Sequence, residues 1–358
     1  MDVSAKIKGI KYTPFLQRSL NRYDISDIDQ ALERDTAFIL EIPSNNQIAL
    51  SWWVSPKRTR SYPYARVYDT LSFNGKRVTI IPVLKDEGKD GDRDFLQWDT
   101  ISLMSLLGIY VIIGYYEDAK KSQRFKNKIT KQVFSIQYIK EEIIRLLSYQ
   151  SDPLHWNLFQ TEKIVDVAEK ALSSYKRISR ELRVEMHSLE SAKERIKDFL
   201  ESRESFISLS RKLAKEAQYR ESRTVQPKER LSGSKATLTI ENYLGGAYYF
   251  TCDEIEIEGD FIYLIEGKHA KRSILPSISD IKDGLLKMIL LTNLEEVTID
   301  EREYSPGAVL KLTSDREFSL EALSFRNREV LRLLKEESEA NNFTVTINGV
   351  LLDKLISV

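Results

Sequence analysis

Two carboxylates and an ammonium stand close together in the run Tyr248-Tyr-Phe-Thr-Cys-Asp253-Glu254-Ile-Glu256-Ile-Glu-Gly-Asp-Phe-Ile-Tyr-Leu-Ile-Glu266-Gly-Lys268. Phe261 to Ile265 is β-branched and aromatic with no breaker, which predicts a buried strand. Side chains alternate along a strand, so Glu266 and Lys268 fall on one face at its end. Asp253 to Ile257 predicts a partner strand joined through the turn Glu258-Gly259-Asp260, and that pairing brings Asp253 near Glu266. Carboxylate oxygens suit a hard cation such as magnesium, which is usually held by one or two protein carboxylates with waters and a phosphate. Such an ion polarises a phosphodiester and activates a water, while a lysine positions that water or offsets developing charge. Glu254 and Glu256 are near enough in sequence to share the metal role.

This constellation resembles the active site of the PD-(D/E)xK nuclease superfamily, in particular type II restriction endonucleases, over roughly residues 226 to 295. The resemblance implies Asp253 as first metal ligand, Glu266 as second, and Lys268 as catalytic lysine. Asn242-Tyr-Leu-Gly-Gly246 before the hairpin is also restriction-enzyme-like, as is Asp280-Ile-Lys-Asp-Gly-Leu-Leu-Lys-Met-Ile289 after it, which would be the helix following the catalytic strand. Cys252 stands where the motif has proline. The implied activity is magnesium-dependent, sequence-specific cleavage of double-stranded DNA. A homodimer is expected, because a palindromic site cut on both strands calls for two active sites. A structure-specific repair or recombination nuclease is one alternative. A catalytically inactive DNA-binding or scaffold protein is another.

A second acidic-lysine set lies upstream, where Asp99 and Asp118-x-Lys120 meet the same logic without a hairpin to couple them. Three basic stretches are candidates for phosphate contact: Pro56 to Arg66, Lys120 to Lys131, and Arg211 to Lys235. In the first, Lys57, Arg58, Arg60 and Arg66 interleave with aromatics, and an arginine there can read a guanine edge. Beyond the lysine of the motif, His269 and Lys271 are further candidates for DNA contact, although alternation turns His269 to the other face. His155, His187 and His269 are too scattered for a metal set, and His187 is expected on a helix surface. No glycine-rich phosphate loop or nucleotide fingerprint is present.

The elements that must position these residues are suggested by patterning. The 358 residues are 42% hydrophobic and 30% charged, with 54 Lys and Arg against 54 Asp and Glu, so no global field draws the chain to nucleic acid and any affinity must be local. One cysteine excludes an intrachain disulfide and any cysteine-rich zinc site. The first residues lack a signal-peptide core, and Ile101 to Tyr116 is shorter than a membrane span, so a cytoplasmic protein with no membrane partner is expected. Residues 1–160 predict an N-terminal α/β domain, the expected DNA reader, with hairpins around Pro43 to Asn46 and Asn74-Gly75. Residues 161–225 predict a long helical arm and connector. A heptad seam from Ile164 to Phe199, interrupted only near Glu185, would make one helix of roughly 55 Å. Residues 226–358 predict the nuclease core. The expected class is mixed α+β: a helix-flanked mixed sheet, a long central helix and an N-terminal α/β domain.

Overall fold

In the computed structural model, β1 (Asp2–Ile7) alternates exposed Asp2, Ser4 and Lys6 with buried Val3, Ala5 and Ile7, the pattern of a strand with one face on a core. Residues 1–57, 63–200, 234–242 and 247–356 are described. Arg58, Arg60, the Gly245-Gly246 pair, residues 201–225 of the expected arm and connector and residues 226–233 of the expected nuclease core lie outside them. The chain divides into two units, one of Met1–Arg18 with Arg211–Val358 and one of Ser19–Ser210. The fold is mixed α+β, as expected. The division is not, because the first strand belongs with the C-terminal region and residues 161–210 belong with the N-terminal one.

In the unit Ser19–Ser210, a five-stranded mixed sheet has the order β2 (Arg22–Asp24), β3 (Ala37–Ile42), β4 (Asn46–Trp52), β5 (Lys76–Pro82) and β8 (Tyr110–Gly114). Two ribbons accompany it, β6 (Leu84–Asp86) with β7 (Arg93–Phe95) and β9 (Tyr116–Lys121) with β10 (Ile129–Phe134). The hairpin β3–β4 forms as predicted, its turn taking the left-handed conformation at Ser44 and Asn45. The hairpin expected around Asn74-Gly75 does not form. After α1 (Ile28–Arg34), residues Pro63–Tyr68 form the helix α2, and β5 lies parallel to both β4 and β8. Pro63, Tyr64, Ala65, Val67 and Tyr68 are all buried, so this short helix fills core space where the first strand of that hairpin, Tyr64 to Phe73, was expected.

Helices α3 (Trp98–Leu106), α4 (Ile136–Ser148) and α5 (Pro153–Glu162) follow. Asp152 caps α5 by accepting the His155 N–H, and Pro153 starts it where no backbone donor is needed. Strand β8 is the sheet's edge, and α5 covers it with side chains. Asn157 accepts the Val111 N–H at 2.7 Å and Gln160 the Ile113 N–H at 3.2 Å, while the Trp156 indole donates to the Val111 carbonyl at 2.7 Å. These bonds satisfy edge groups that would otherwise be a template for another strand.

The single long helix is replaced by two, α6 (Ile164–Leu182) and α7 (Leu189–Leu200). Arg183 ends α6 in the left-handed conformation, φ 50°. Residues 184–187 are then stitched elsewhere: Val184 is buried, the Glu185 carbonyl accepts the Lys89 N–H at 2.9 Å, and His187 Nδ1 lies 2.8 Å from Asp86 Oδ1. His187 is therefore in the break and half-buried. The apolar seam of α6, with Ile164, Val167, Ala171, Tyr175 and Ile178, is buried within its own unit.

In the other unit, the strands order as β13 (Phe261–Ala270), β12 (Ala247–Glu258), β11 (Ser234–Asn242), β1, β14 (Glu295–Ile299), β15 (Arg302–Ser314), β16 (Thr344–Ile347) and β17 (Val350–Leu351). β13 also pairs with β15, so six strands form a closed circuit in which β1 bridges β11 and β14. β11, β12 and β13 form an antiparallel meander, and α8 (Ile278–Leu291) crosses to the parallel neighbour β15 by way of β14. A further helix, α9 (Phe325–Asn341), precedes β16. Its buried Glu337 accepts the Phe15 and Leu16 N–H groups at 3.0 and 3.1 Å, and the Tyr12 hydroxyl at 2.7 Å. These bonds tie residues 12–16 into this unit. A last short helix, α10 (Leu352–Ile356), follows β17. Among the described residues no helix is long and apolar enough to cross a membrane.

Candidate active site

Gly259 has a positive φ of 63° in the two-residue turn between β12 and β13, a conformation that favours glycine, and Glu258 pairs with Phe261 on either side of it. The ladder runs inward to Glu254 opposite Ile265, which puts Asp253 and Glu266 at the next step. There the Asp253 side chain takes over from the backbone, its Oδ2 accepting the Gly267 N–H at 2.8 Å. The hairpin thus brings the two predicted carboxylates to one level of the sheet.

Helix α8 lies over this end of β13. A capping box between Ser277 and Asp280 starts it, and Ile281, Leu285, Met288 and Ile289 are buried. Gly284 sets how closely it approaches. A Cβ there would lie 2.7 Å from Leu310 Cδ1 and 3.4 Å from Lys268 Cε, so the glycine leaves room for the lysine stem. On either side of Gly284, Asp283 and Lys287 are four residues apart and share a helix face.

Five charged groups meet where strand and helix face each other. Lys268 Nζ lies 2.8 Å from Glu266 Oε1 and 3.0 Å from Asp283 Oδ2, while Lys287 Nζ lies 2.7 Å from Glu266 Oε2. Glu266 is only 3% exposed. Burial alone would raise its pKa, but Lys268 and then Lys287 outweigh that and hold it well below the ordinary carboxylate range. Burial would likewise lower both lysines, yet Lys268 is raised by Glu266 and then Asp283, and Lys287 is raised by Glu266 with a smaller pull from Asp253. Glu266, Lys268 and Lys287 are therefore held in their ionised forms. Cys252 is buried beside it, and burial pushes its thiol up to about 12, which leaves it an inert packing group.

Strand alternation separates the competing acids. Glu254 is fully buried, with Oε2 2.6 Å from Lys311 Nζ, and Lys311 pairs with Gly267 in the register, so both face away from Glu266. Glu256 is exposed. His269 also turns away, its Nδ1 3.0 Å from Thr313 Oγ1 and its Nε2 3.5 Å from Asp315 Oδ1, whereas Lys271 is exposed just past the strand end.

In the unit Ser19–Ser210, Asp99 is 2% exposed in α3, while Asp118 and Lys120 are exposed on β9, so the second acidic-lysine set does not share one environment. Arg66 is committed within its own unit. Its guanidinium stacks 4.4 Å over the Trp52 ring and donates to the Trp52 carbonyl at 2.8 Å, and burial lowers its pKa to about 10. Lys57 is half-buried, its backbone N–H donating to Ser55 Oγ at 3.1 Å.

Asp283 and Lys287 are the site residues that sequence reasoning did not assign. Both lie in the helix it singled out, where an acid and a lysine flanking a glycine in an apolar run were the available signal. Among the described residues no three of His, Cys, Asp and Glu are placed to hold a metal ion. Two carboxylates with a phosphate and waters nonetheless meet magnesium's ordinary demand, so the donors Asp253 and Glu266 fit that ion. Comparisons with protein-family models, with curated proteins and with solved structures found no match to this chain.

Proposed function

We propose that the protein is a magnesium-dependent endonuclease that cuts double-stranded DNA at specific sequences, in the manner of type II restriction enzymes. What carries the reading is the convergence of Asp253, Glu266 and Lys268 at the end of one hairpin, beneath a crossover helix that leads to a parallel strand. Asp253 and Glu266 would hold the ion. Bound there, magnesium would polarise the scissile phosphodiester and activate a water. Lys268, held by both Glu266 and Asp283, keeps its ammonium at a fixed point where it can orient the attacking water or meet charge on the phosphate. The Gly267 N–H holds the Asp253 carboxylate in place. Lys271, and Arg58 and Arg60 beyond the described residues, are the cations proposed to meet DNA. Two-strand cleavage of a palindrome would pair two copies of the chain.

One observation favours a second reading. Both oxygens of Glu266 are already engaged by ammonium groups, which is also how a purely structural ion-pair cluster in an inactive DNA-binding or scaffold protein is built. Digestion of several unmethylated DNAs of known sequence in magnesium separates the possibilities. Discrete fragments with common end sequences are expected. Cutting that follows DNA structure would identify a repair or recombination nuclease, and binding without cutting in any divalent metal would identify the inactive module.

A further inference from the structure

Glu266 is approached by two ammonium groups from two different elements. Lys268 reaches Oε1 from Glu266's own strand and is tied at the same time to Asp283. Lys287 reaches Oε2 at 2.7 Å from α8, and among the described residues its ion pair is with Glu266. Its ammonium is also attracted by Asp253. It therefore occupies a Glu266 oxygen that would ligate the ion.

Charge counting sharpens the point. Asp253, Glu266 and Asp283 outnumber Lys268 and Lys287 by one charge, so the metal-free cluster is slightly negative. A divalent ion arriving with both lysines in place would reverse that sign, and like charges at such short range repel. One ammonium has to withdraw. Lys268 is held at two carboxylates, whereas Lys287 has the single tether and a flexible four-carbon stem on which to swing.

We propose that Lys287 is the resident counter-ion of this site: without metal it holds Glu266 Oε2 in place, and a divalent cation binds by displacing it from that oxygen. Lys287 is on this account a positioning residue, and the proposal rests on the metal reading given above.

Manganese binding to the full chain without DNA, followed by electron paramagnetic resonance of the free ion, tests it. Lys287→Met keeps the stem and removes the charge, and is expected to bind manganese at least about tenfold more tightly than wild type. Lys287→Arg keeps the charge and is expected to stay within about threefold of wild type. Thermal melting is the second readout: metal-free Lys287→Met should melt below wild type and gain more from magnesium than wild type does. If the methionine variant does not fold, Lys287→Gln replaces it in both measurements. Suppose the neutral variant binds manganese no more tightly than wild type, while Glu266→Gln abolishes wild-type binding. The counter-ion role is then overturned and the metal site stands. If wild type binds no manganese, or binds it indifferently to Glu266→Gln, the metal reading falls and takes the counter-ion role with it.

Discussion

Each unit buries a glutamate among cations, and the two are held in different ways. Glu142 on α4 is 2% exposed and accepts from Arg145 at 2.6 Å, from Lys163 at 2.9 Å and from the Gln160 amide at 2.7 Å. The oxygen of that same Gln160 takes the Ile113 N–H at the edge of β8, so the carboxylate is joined through one planar amide to the sheet itself. Glu266 has no such anchor in its described bonds. Its partners are two ammonium groups on long stems, one from its own strand and one from α8. A carboxylate wired to backbone cannot be released without breaking the sheet edge, whereas one paired only with ammonium groups on flexible stems can change partners. The contrast teaches that burial and pairing alone do not mark a site, and that what the pairing groups are themselves tied to has to be weighed as well.

The largest effect that tests this contrast is on stability. Glu266→Gln removes the ion-pair partner of Lys287 and one of the two partners of Lys268, Glu142→Gln removes the carboxylate shared by Arg145 and Lys163, and each is expected to cost about 3–5 kcal/mol in urea unfolding. The pH signature of Glu266 has a defined direction. Glu266 has a depressed pKa when folded, so its contribution is complete above the unfolded value of about 4.3 and is lost as pH falls through the lowered one. Urea midpoints between pH 6 and 3 should fall with acid in wild type and fall less steeply in Glu266→Gln. Identical slopes would show that Glu266 is not held ionised in the way described.

Next in size is Lys268→Ala, expected to reduce magnesium-dependent cleavage by about 100-fold or more with DNA binding in calcium retained. Glu142→Gln, assayed per folded molecule, should leave cleavage unchanged. A Lys268→Ala enzyme within about tenfold of wild type would remove that lysine from the chemistry. Gly284→Ala comes third. Its Cβ would meet Leu310 and press on the Lys268 stem, so a loss of about 1–3 kcal/mol is expected, with cleavage lowered by displacement of α8. Wild-type stability and activity in that variant would mean the helix has slack over the strand. Smallest is Arg66→Ala, which loses a ring stack and a carbonyl bond worth about 1–2 kcal/mol and should not alter discrimination between cognate and random DNA. A shrinking cognate advantage would return Arg66 to the DNA-reading set.

The site hairpin and its helix were legible because their signals are local. A turn glycine, an alternating acidic strand, an apolar run and the Ser277 to Asp280 cap all lie within a few residues of what they specify. Alternation along the strand also puts Glu254 and Asp253 on opposite faces from their spacing alone. Lys287 was not legible as a site residue, because its role exists only once α8 is laid on β13, a tertiary fact. The same holds for the break at Arg183, where residues from 86 to 127 supply the competing hydrogen bonds. Pro63–Tyr68 departs from expectation because aromatic and β-branched residues suit a strand, yet here they fill a core as one short helical turn and a half. No periodicity within residues 2 to 7 could announce that their strand partners lie more than two hundred residues downstream.

That distant pairing has a consequence for how the protein is made. β1 is synthesised first, but β11 and β14, the strands on its two sides, come from residues 234–242 and 295–299. At the usual ribosomal pace of roughly 5–20 residues per second, the opening strand waits about 15 to 60 s for its second neighbour. The 192 residues of Ser19–Ser210 emerge during that interval and can fold while the opening strand is still unpaired. The circuit of strands around the Asp253 and Glu266 hairpin closes only once β15, Arg302–Ser314, has emerged, so a product terminated before it would not carry a completed site.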